Sequence, residues 1–337
     1  MGRVLSFDTP PRILCAASAV GGEEYNGPLG ASFDFHDNTD RFGADTWEHA
    51  EAALSGTVFS LLLNRAKISH KEIGLLFAGD LENQCVASSE GLAPFGVPYV
   101  GLYGACSTCG EGLMAAATTL AHEGAPSLAA VVTTSHFCAA ERQFRTPIEY
   151  GGQRPPTAQW TATAGGAFLL SKDKGQVQIS SVMAGRLVDS GIRDASNMGA
   201  AMAPAVCDSL LSFFLESNTT PYDYDAIITG DLAKEGSSIL YELLKKEGVS
   251  IENRHFDCGK LLYDYGKQDV HAGASGCGCS ASVLAAHFFP KLKSGELKRA
   301  LFIATGAMMS PSSLLQGGNI YGIAPVVCLA HNASIPQ

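Results

Sequence analysis

Two phrases recur in this chain in the same order, and that recurrence limits the fold more than any other feature. AGDLENQ (residues 78–84) is echoed by TGDLAKE (229–235), and GACSTCGEGLMAA (104–116) by GASGCGCSASVLAA (273–286). The surroundings repeat as well. An apolar, strand-like run (73–78, IGLLFA; 224–229, YDAIIT) leads into each Gly-Asp-Leu, a helical stretch follows, and a glycine-rich loop then opens an alanine-rich helix. Each copy continues to a further strand, residues 128–134 ending at Ser135-His136 and residues 300–305 ending at Gly306. A period of roughly 150 residues is too long for a solenoid and implies two fused halves about a pseudo-twofold axis. We divide the chain at 1–181 and 182–337. The second half carries an additional stretch, IENRHFDCGKLLYDYGKQD, before its glycine loop. Strands alternating with helices give a mixed sheet with helices on its faces.

Local signals sharpen this plan. Asp45 with Glu48 three residues later reads as a helix start, and Ser69 with Glu72 as a short capping turn. Residues 141–157, ERQFRTPIEYGGQRPPT, are polar and rich in Gly and Pro, as in a lid or a dimer-contact loop. No apolar run reaches bilayer-spanning length, and residues 1–11 lack the layout of a signal peptide, so cytoplasmic synthesis is expected. A net charge of −10 without a basic run argues against nucleic acid and against direct docking on anionic lipid. An anionic ligand must therefore be held by local donors. The ten cysteines lie in apolar segments or at the two glycine loops, the pattern of reduced core residues.

Cys106 is the first candidate for chemistry. The apolar run 97–103 breaks at Gly104-Ala105, and a helix starts just beyond the cysteine. The free N–H groups and the dipole of a helix start favour a thiolate or a docked anion; the plain alternative is a small buried residue in a tight turn. His136, at a strand end, is either a base or donor, or a hydrogen-bonded packing residue. Arg142, Arg145 and Arg154 follow in one loop, where guanidinium groups suit carboxylates or an interface. The repeat pairs Asp80 with Asp231, and helix capping is the better reading of Asp80. A carboxylate beside Cys106 would oppose thiolate formation. Cys106 and Cys109 with Cys277 and Cys279 lack the spacing of a zinc site, so neither metal nor cofactor is expected.

Taken together, GACST, AGDLENQ, AERQFR-x-P-x-EYGGQ-x-P-x-TA, MGAAMAPA, HFDCG, SGCGCSA and ATGAMMSP resemble the stage V sporulation protein AD family of the thiolase superfamily. The resemblance implies a thiolase-like fold, two duplicated α/β halves layered αβαβα with the two glycine-loop helices packed inside. Thiolases and ketoacyl synthases use a cysteine at the position of Cys106 together with second-half residues such as a His pair, His with Asn, or His with Cys. Here the second-half loops read Gly230-Asp231-Leu232 and Cys277-Gly278, without a histidine. The resemblance therefore implies a non-catalytic member that binds dipicolinic acid and takes part in its uptake into the developing spore. The alternative is an acyl-transferring enzyme with Cys106 as nucleophile. The expected ligand-binding set is Cys106, His136, Arg142, Arg145, Asp231 and Cys277, with one carboxylate at the Cys106 helix start and the other on Arg142 or Arg145. Partners implied are the other stage V sporulation A membrane proteins, which would hold the chain at the spore inner membrane, and a second copy paired through residues 97–103.

Overall fold

A computed structural model describes residues 2–145 and 153–333. Part of the expected lid or contact loop, residues 146–152, lies outside the described residues. The main sheet runs, from edge to edge, His255–Asp257, Ala226–Thr229, Arg299–Ile303, Val326–His331, Val177–Met183, Arg12–Gly21, Ala164–Ser171, Leu128–Ser135, Leu75–Gly79 and Tyr99–Gly101. Read inward from either edge, the same five-strand pattern appears. The outer three strands pair in parallel, and the next two join antiparallel. The copies meet where Arg12 pairs with Gln178 and Ile13 with Val177. Val177–Met183 is thus the second copy's counterpart of Arg12–Gly21, and a boundary at residue 181 falls inside that strand.

Three apolar cores separate the layers. Trp47–Ala66 lays Leu54, Val58, Phe59 and Leu62 on one outer face, against Ala17, Ala19, Val132 and Leu169. Met198–Ser217 and Ala233–Lys246 cover the other outer face, with Val206, Leu210, Phe213 and Leu240 on Ile227, Leu301 and Ile303. Between the two halves lie the glycine-loop helices Thr108–Leu120 and Cys277–Val283. Leu113, Ala116, Ala117, Ala281 and Val283 pack there with Phe77, Val131, Phe168, Ile228 and Phe302. The architecture is the layered αβαβα arrangement of the thiolase-like fold.

The details correct two readings of the sequence. The first long helix is capped by Thr46, whose hydroxyl accepts from His49 N at 3.3 Å, and not by Asp45. The turn at Ser69 and Glu72 does form a capping box. One segment does reach bilayer-spanning length: Met198–Ser217 is long and apolar enough by composition. Its apolar residues are spent on the outer core, where Ala201, Met202, Val206, Leu210 and Phe213 are fully buried.

Small residues set the spacing of the central layer. A Cβ on Gly278 would lie 2.0 Å from Ala164 O and 2.7 Å from Ser135 N, and one on Gly166 would lie 2.4 Å from the carbonyl of Ala281. These neighbours are backbone and cannot rotate away. Gly278→Ala should therefore cost about 1–3 kcal/mol or more in urea unfolding, and a loss below about 0.5 kcal/mol, the scale of an ordinary surface change, would contradict this packing.

Candidate functional site

The turn that presents Cys106 is held by its own side chains. Ser107 Oγ donates to Gly104 O and Thr108 Oγ1 to Ala105 O, both at 2.7 Å, while Gly104 N donates to Thr108 Oγ1 at 3.1 Å. Ala105 takes φ +51°, a left-handed conformation that an L-residue adopts at a cost. This strained corner aims Cys106, 9% exposed, at a cavity of about 120 Å³. A single water needs about 10–15 Å³ on the same measure, so the space is ligand-sized. Leu81, Tyr103, Phe144, Met198 and Met309 give it apolar walls; Arg145, Glu141, Gln159, Thr161, Ser196 and Ser275 supply polar groups.

The second half meets Cys106 through Ser275, which sequence reasoning missed. The echo GAC/GAS aligns Gly104-Ala105-Cys106 with Gly273-Ala274-Ser275, and each third residue stands two positions before its helix, at Thr108 and at Cys277. Ser275, not Cys277, is therefore the positional counterpart of Cys106. The two face each other across the pseudo-twofold axis, with Sγ and Oγ 3.8 Å apart. Behind Ser275 lies the fully buried Asp231. Its carboxylate accepts from Gly276 N at 2.8 Å, from Ser275 Oγ at 3.2 Å and, in a short bond, from Thr305 Oγ1.

This arrangement settles the electrostatics of the thiol. Burial pushes the Cys106 thiol well above its ordinary range, and the Asp231 carboxylate pushes it further in the same direction. Both act against the thiolate that a helix start would favour. Asp231 is itself raised by burial, opposed by its hydrogen bonds from Thr305, Cys106, Gly276 and Ser275. Its repeat partner Asp80 serves the first half's own loop, accepting from Glu82 N at 2.8 Å and Ser88 N at 2.7 Å.

Of the expected binding residues, the structure brings Cys106 and Arg145 to the cavity wall. Arg145 pairs with Glu141 at 2.8 Å and donates to Gln159 O at 3.1 Å. The other four do not line it. His136 is fully buried as the N-cap of the helix Phe137–Phe144: Nδ1 accepts from Cys138 N at 3.1 Å, so Nε2 carries the proton and donates to Asp40 O at 2.8 Å. Both ring nitrogens are spent on backbone. Arg142, half-exposed, turns outward to Glu48 at 3.3 Å. Asp231 stands behind Ser275. Cys277, fully buried, donates to Thr134 O at 3.0 Å and packs behind Cys106 with Leu81, Ala140 and Phe144. Arg154 lies outside the cavity, over the Trp160 ring at 4.5 Å, and donates to Asp269 O at 2.8 Å. Among the described residues, no group of three or more His, Cys, Asp or Glu side chains is placed to hold a metal ion.

Comparison with known proteins places the chain. The family model described as Stage V sporulation protein AD (SpoVAD) matches residues 2–330. The chain belongs to the stage V sporulation protein AD family. Within that sporulation family it is 41% identical over 318 residues to Stage V sporulation protein AD of Bacillus subtilis (strain 168), covering 94% of each protein. Solved structures show the same thiolase-like fold at low identity. A tetronic acid condensing enzyme, AbyA1, matches with TM-score 0.60 and 17% identity over 94% of this chain and 99% of its own. A single-substitution variant of OleA from Xanthomonas campestris gives 0.59 and 13% over 96% and 99%. The 3-oxoacyl-(acyl carrier protein) synthase III, FabH, of Pseudomonas aeruginosa PAO1 gives 0.55 and 14% over 97% and 100%.

The thiol's environment is directly measurable. Iodoacetamide should label Cys106 more slowly than free cysteine at pH 7.5, and Asp231→Asn should raise the rate by up to about tenfold, a fall of one pKa unit being tenfold in thiolate. A labelling midpoint for the wild type below about 8.5, the value of free cysteine, would contradict the assignment.

Proposed function

We propose that this stage V sporulation protein AD family member binds dipicolinic acid in the cavity over Cys106, takes part in its uptake into the developing spore, and transfers no acyl group. The observation that carries this reading is the cavity itself: apolar walls and a guanidinium above a thiol whose ionisation is opposed by burial. A flat pyridine ring suits walls formed by Leu81, Tyr103, Phe144 and Met309, and Arg145 suits one of its carboxylates by charge and by fork geometry. Ser275, Ser196 and Thr161 add hydroxyl groups around the same space. Acyl transfer would need a thiolate and a nearby imidazole. Burial and the Asp231 carboxylate both oppose a thiolate at Cys106, and among the described residues no histidine lines the cavity.

Partners follow from the same reading. The chain would be made in the cytoplasm and held at the spore inner membrane by the other stage V sporulation A membrane proteins. Two copies would pair through the edge strand Tyr99–Gly101, whose Tyr99 and Val100 are 37% and 38% exposed and whose outer backbone edge is open among the described residues. Light scattering should give the mass of a dimer, and Val100→Lys should shift it toward monomer; a monomeric wild type would remove this part of the proposal.

Calorimetric titration with dipicolinate tests the site. A charge-assisted hydrogen bond contributes about 1.5–3 kcal/mol, so Arg145→Ala should weaken binding about tenfold or more. Arg142→Ala, which alters only an outward ion pair, should bind as the wild type does. Equal affinity for Arg145→Ala would move the site, and no binding by the folded wild type would end the ligand assignment. Mass spectrometry after incubation with acyl-CoA should show no adduct; an acyl group on Cys106 would establish the transferase instead.

A further inference from the structure

Gln159 sits on the wall of this cavity, 4% exposed, with a polar atom that the described residues leave unused. Its amide nitrogen donates to Asp231 O and to Ala274 O, each at 2.7 Å. Both neighbours are carbonyl oxygens, so the orientation of the amide is fixed and Oε1 is its free end. That oxygen is buried and has no hydrogen-bond partner among the described residues. An unpaired buried acceptor is costly, and a ligand that brings a donor relieves the cost. A fully ionised dicarboxylate brings none, since every one of its carboxylate oxygens is an acceptor.

Charge points the same way. Among the described residues lining the cavity, Arg145 is the one cation and Glu141 the one carboxyl group, and they pair at 2.8 Å. Cys106 and Tyr103, the other titratable groups on the wall, have pKa values raised chiefly by burial. Asp231 stands behind Ser275, and Asp257 behind Asp231 is spent on Leu232 N, Ala233 N and Thr229 Oγ1. Arg154 does not line the cavity and is bonded to Asp269 O, but its charge reaches Glu141 and Arg145. His136, which opens the helix that carries Glu141, is committed to Asp40 O. The paired Arg145 and Glu141 leave this lining without net charge, so a dianion would bring two uncompensated charges where a monoanion brings one, inside a protein of net charge −10.

We infer, on the binding reading above, that the cavity takes its aromatic dicarboxylate as the hydrogen-dicarboxylate monoanion. One carboxylate meets Arg145; the other is protonated, and its O–H donates to Gln159 Oε1. The proton comes from solvent, one per ligand bound, because a carboxyl group of ordinary pKa, about 4, is ionised in neutral solution. Gln159 is thereby a specificity-determining residue, selecting ligands that pair an anion with a donor.

The test is calorimetry of the full chain with dipicolinate, at pH 6, 7 and 8 and in buffers of different ionisation enthalpy, beside the monocarboxylate picolinate. The inference expects uptake of about one proton per dipicolinate and a Kd that falls about tenfold per unit of decreasing pH. Picolinate, already a monoanion, should take up none. Glu141→Gln should keep the uptake, which places the proton on the ligand. Gln159→Met, judged folded by circular dichroism, should lose the pH slope. Dipicolinate binding without proton uptake, uptake abolished by Glu141→Gln, equal uptake with picolinate, or a slope retained in Gln159→Met overturns the inference and leaves the binding reading standing. An absence of dipicolinate binding at every pH overturns both.

Discussion

The carboxylate of Asp231 is the contact on which the centre of this molecule depends. From the end of the strand Ala226–Thr229 it reaches Gly276 N and Ser275 Oγ in the glycine loop and Thr305 Oγ1 beyond the strand Arg299–Ile303. Three segments that are far apart in sequence are thus tied to one buried group. The same tie holds Ser275 opposite Cys106 and, through its charge, opposes ionisation of the thiol. A single side chain therefore shapes the second half's loop and adds to the burial that raises the first half's cysteine thiol.

The fold was legible because it is written twice. The paired Gly-Asp-Leu loops and glycine-turned helices gave the duplication, and strand pairing reproduces it down to which neighbours run parallel. The copies' boundary was less legible, since Val177–Met183 is contiguous in pattern with the strand before it and only its pairing assigns it to the second half.

The site was legible in part. Cys106 announced itself by its turn, and Arg145 by a loop rich in guanidinium groups. His136 and Arg142 misled because sequence proximity does not show direction. On one short helix His136 turns inward to cap and Arg142 outward to Glu48, while Arg145 at its end reaches the cavity. Cys277 drew attention by residue type, yet its offset from its helix start differs from that of Cys106. The three-residue echo Gly-Ala-Cys against Gly-Ala-Ser was the available signal for Ser275. Gln159 had no such signal: its role arises from two carbonyl oxygens, Asp231 O and Ala274 O, that only the folded chain brings to its amide nitrogen.

A duplicated scaffold shared with condensing enzymes thus holds a cavity whose cysteine thiol is raised by burial and whose wall offers a guanidinium. The most direct test of that account is a crystal structure of the chain soaked with dipicolinate. The account predicts the ring in the cavity over Cys106, one carboxylate within hydrogen-bonding distance, about 3 Å, of Arg145, and an unmodified sulfur. A ligand bound elsewhere, or an acyl group carried on Cys106, would contradict it.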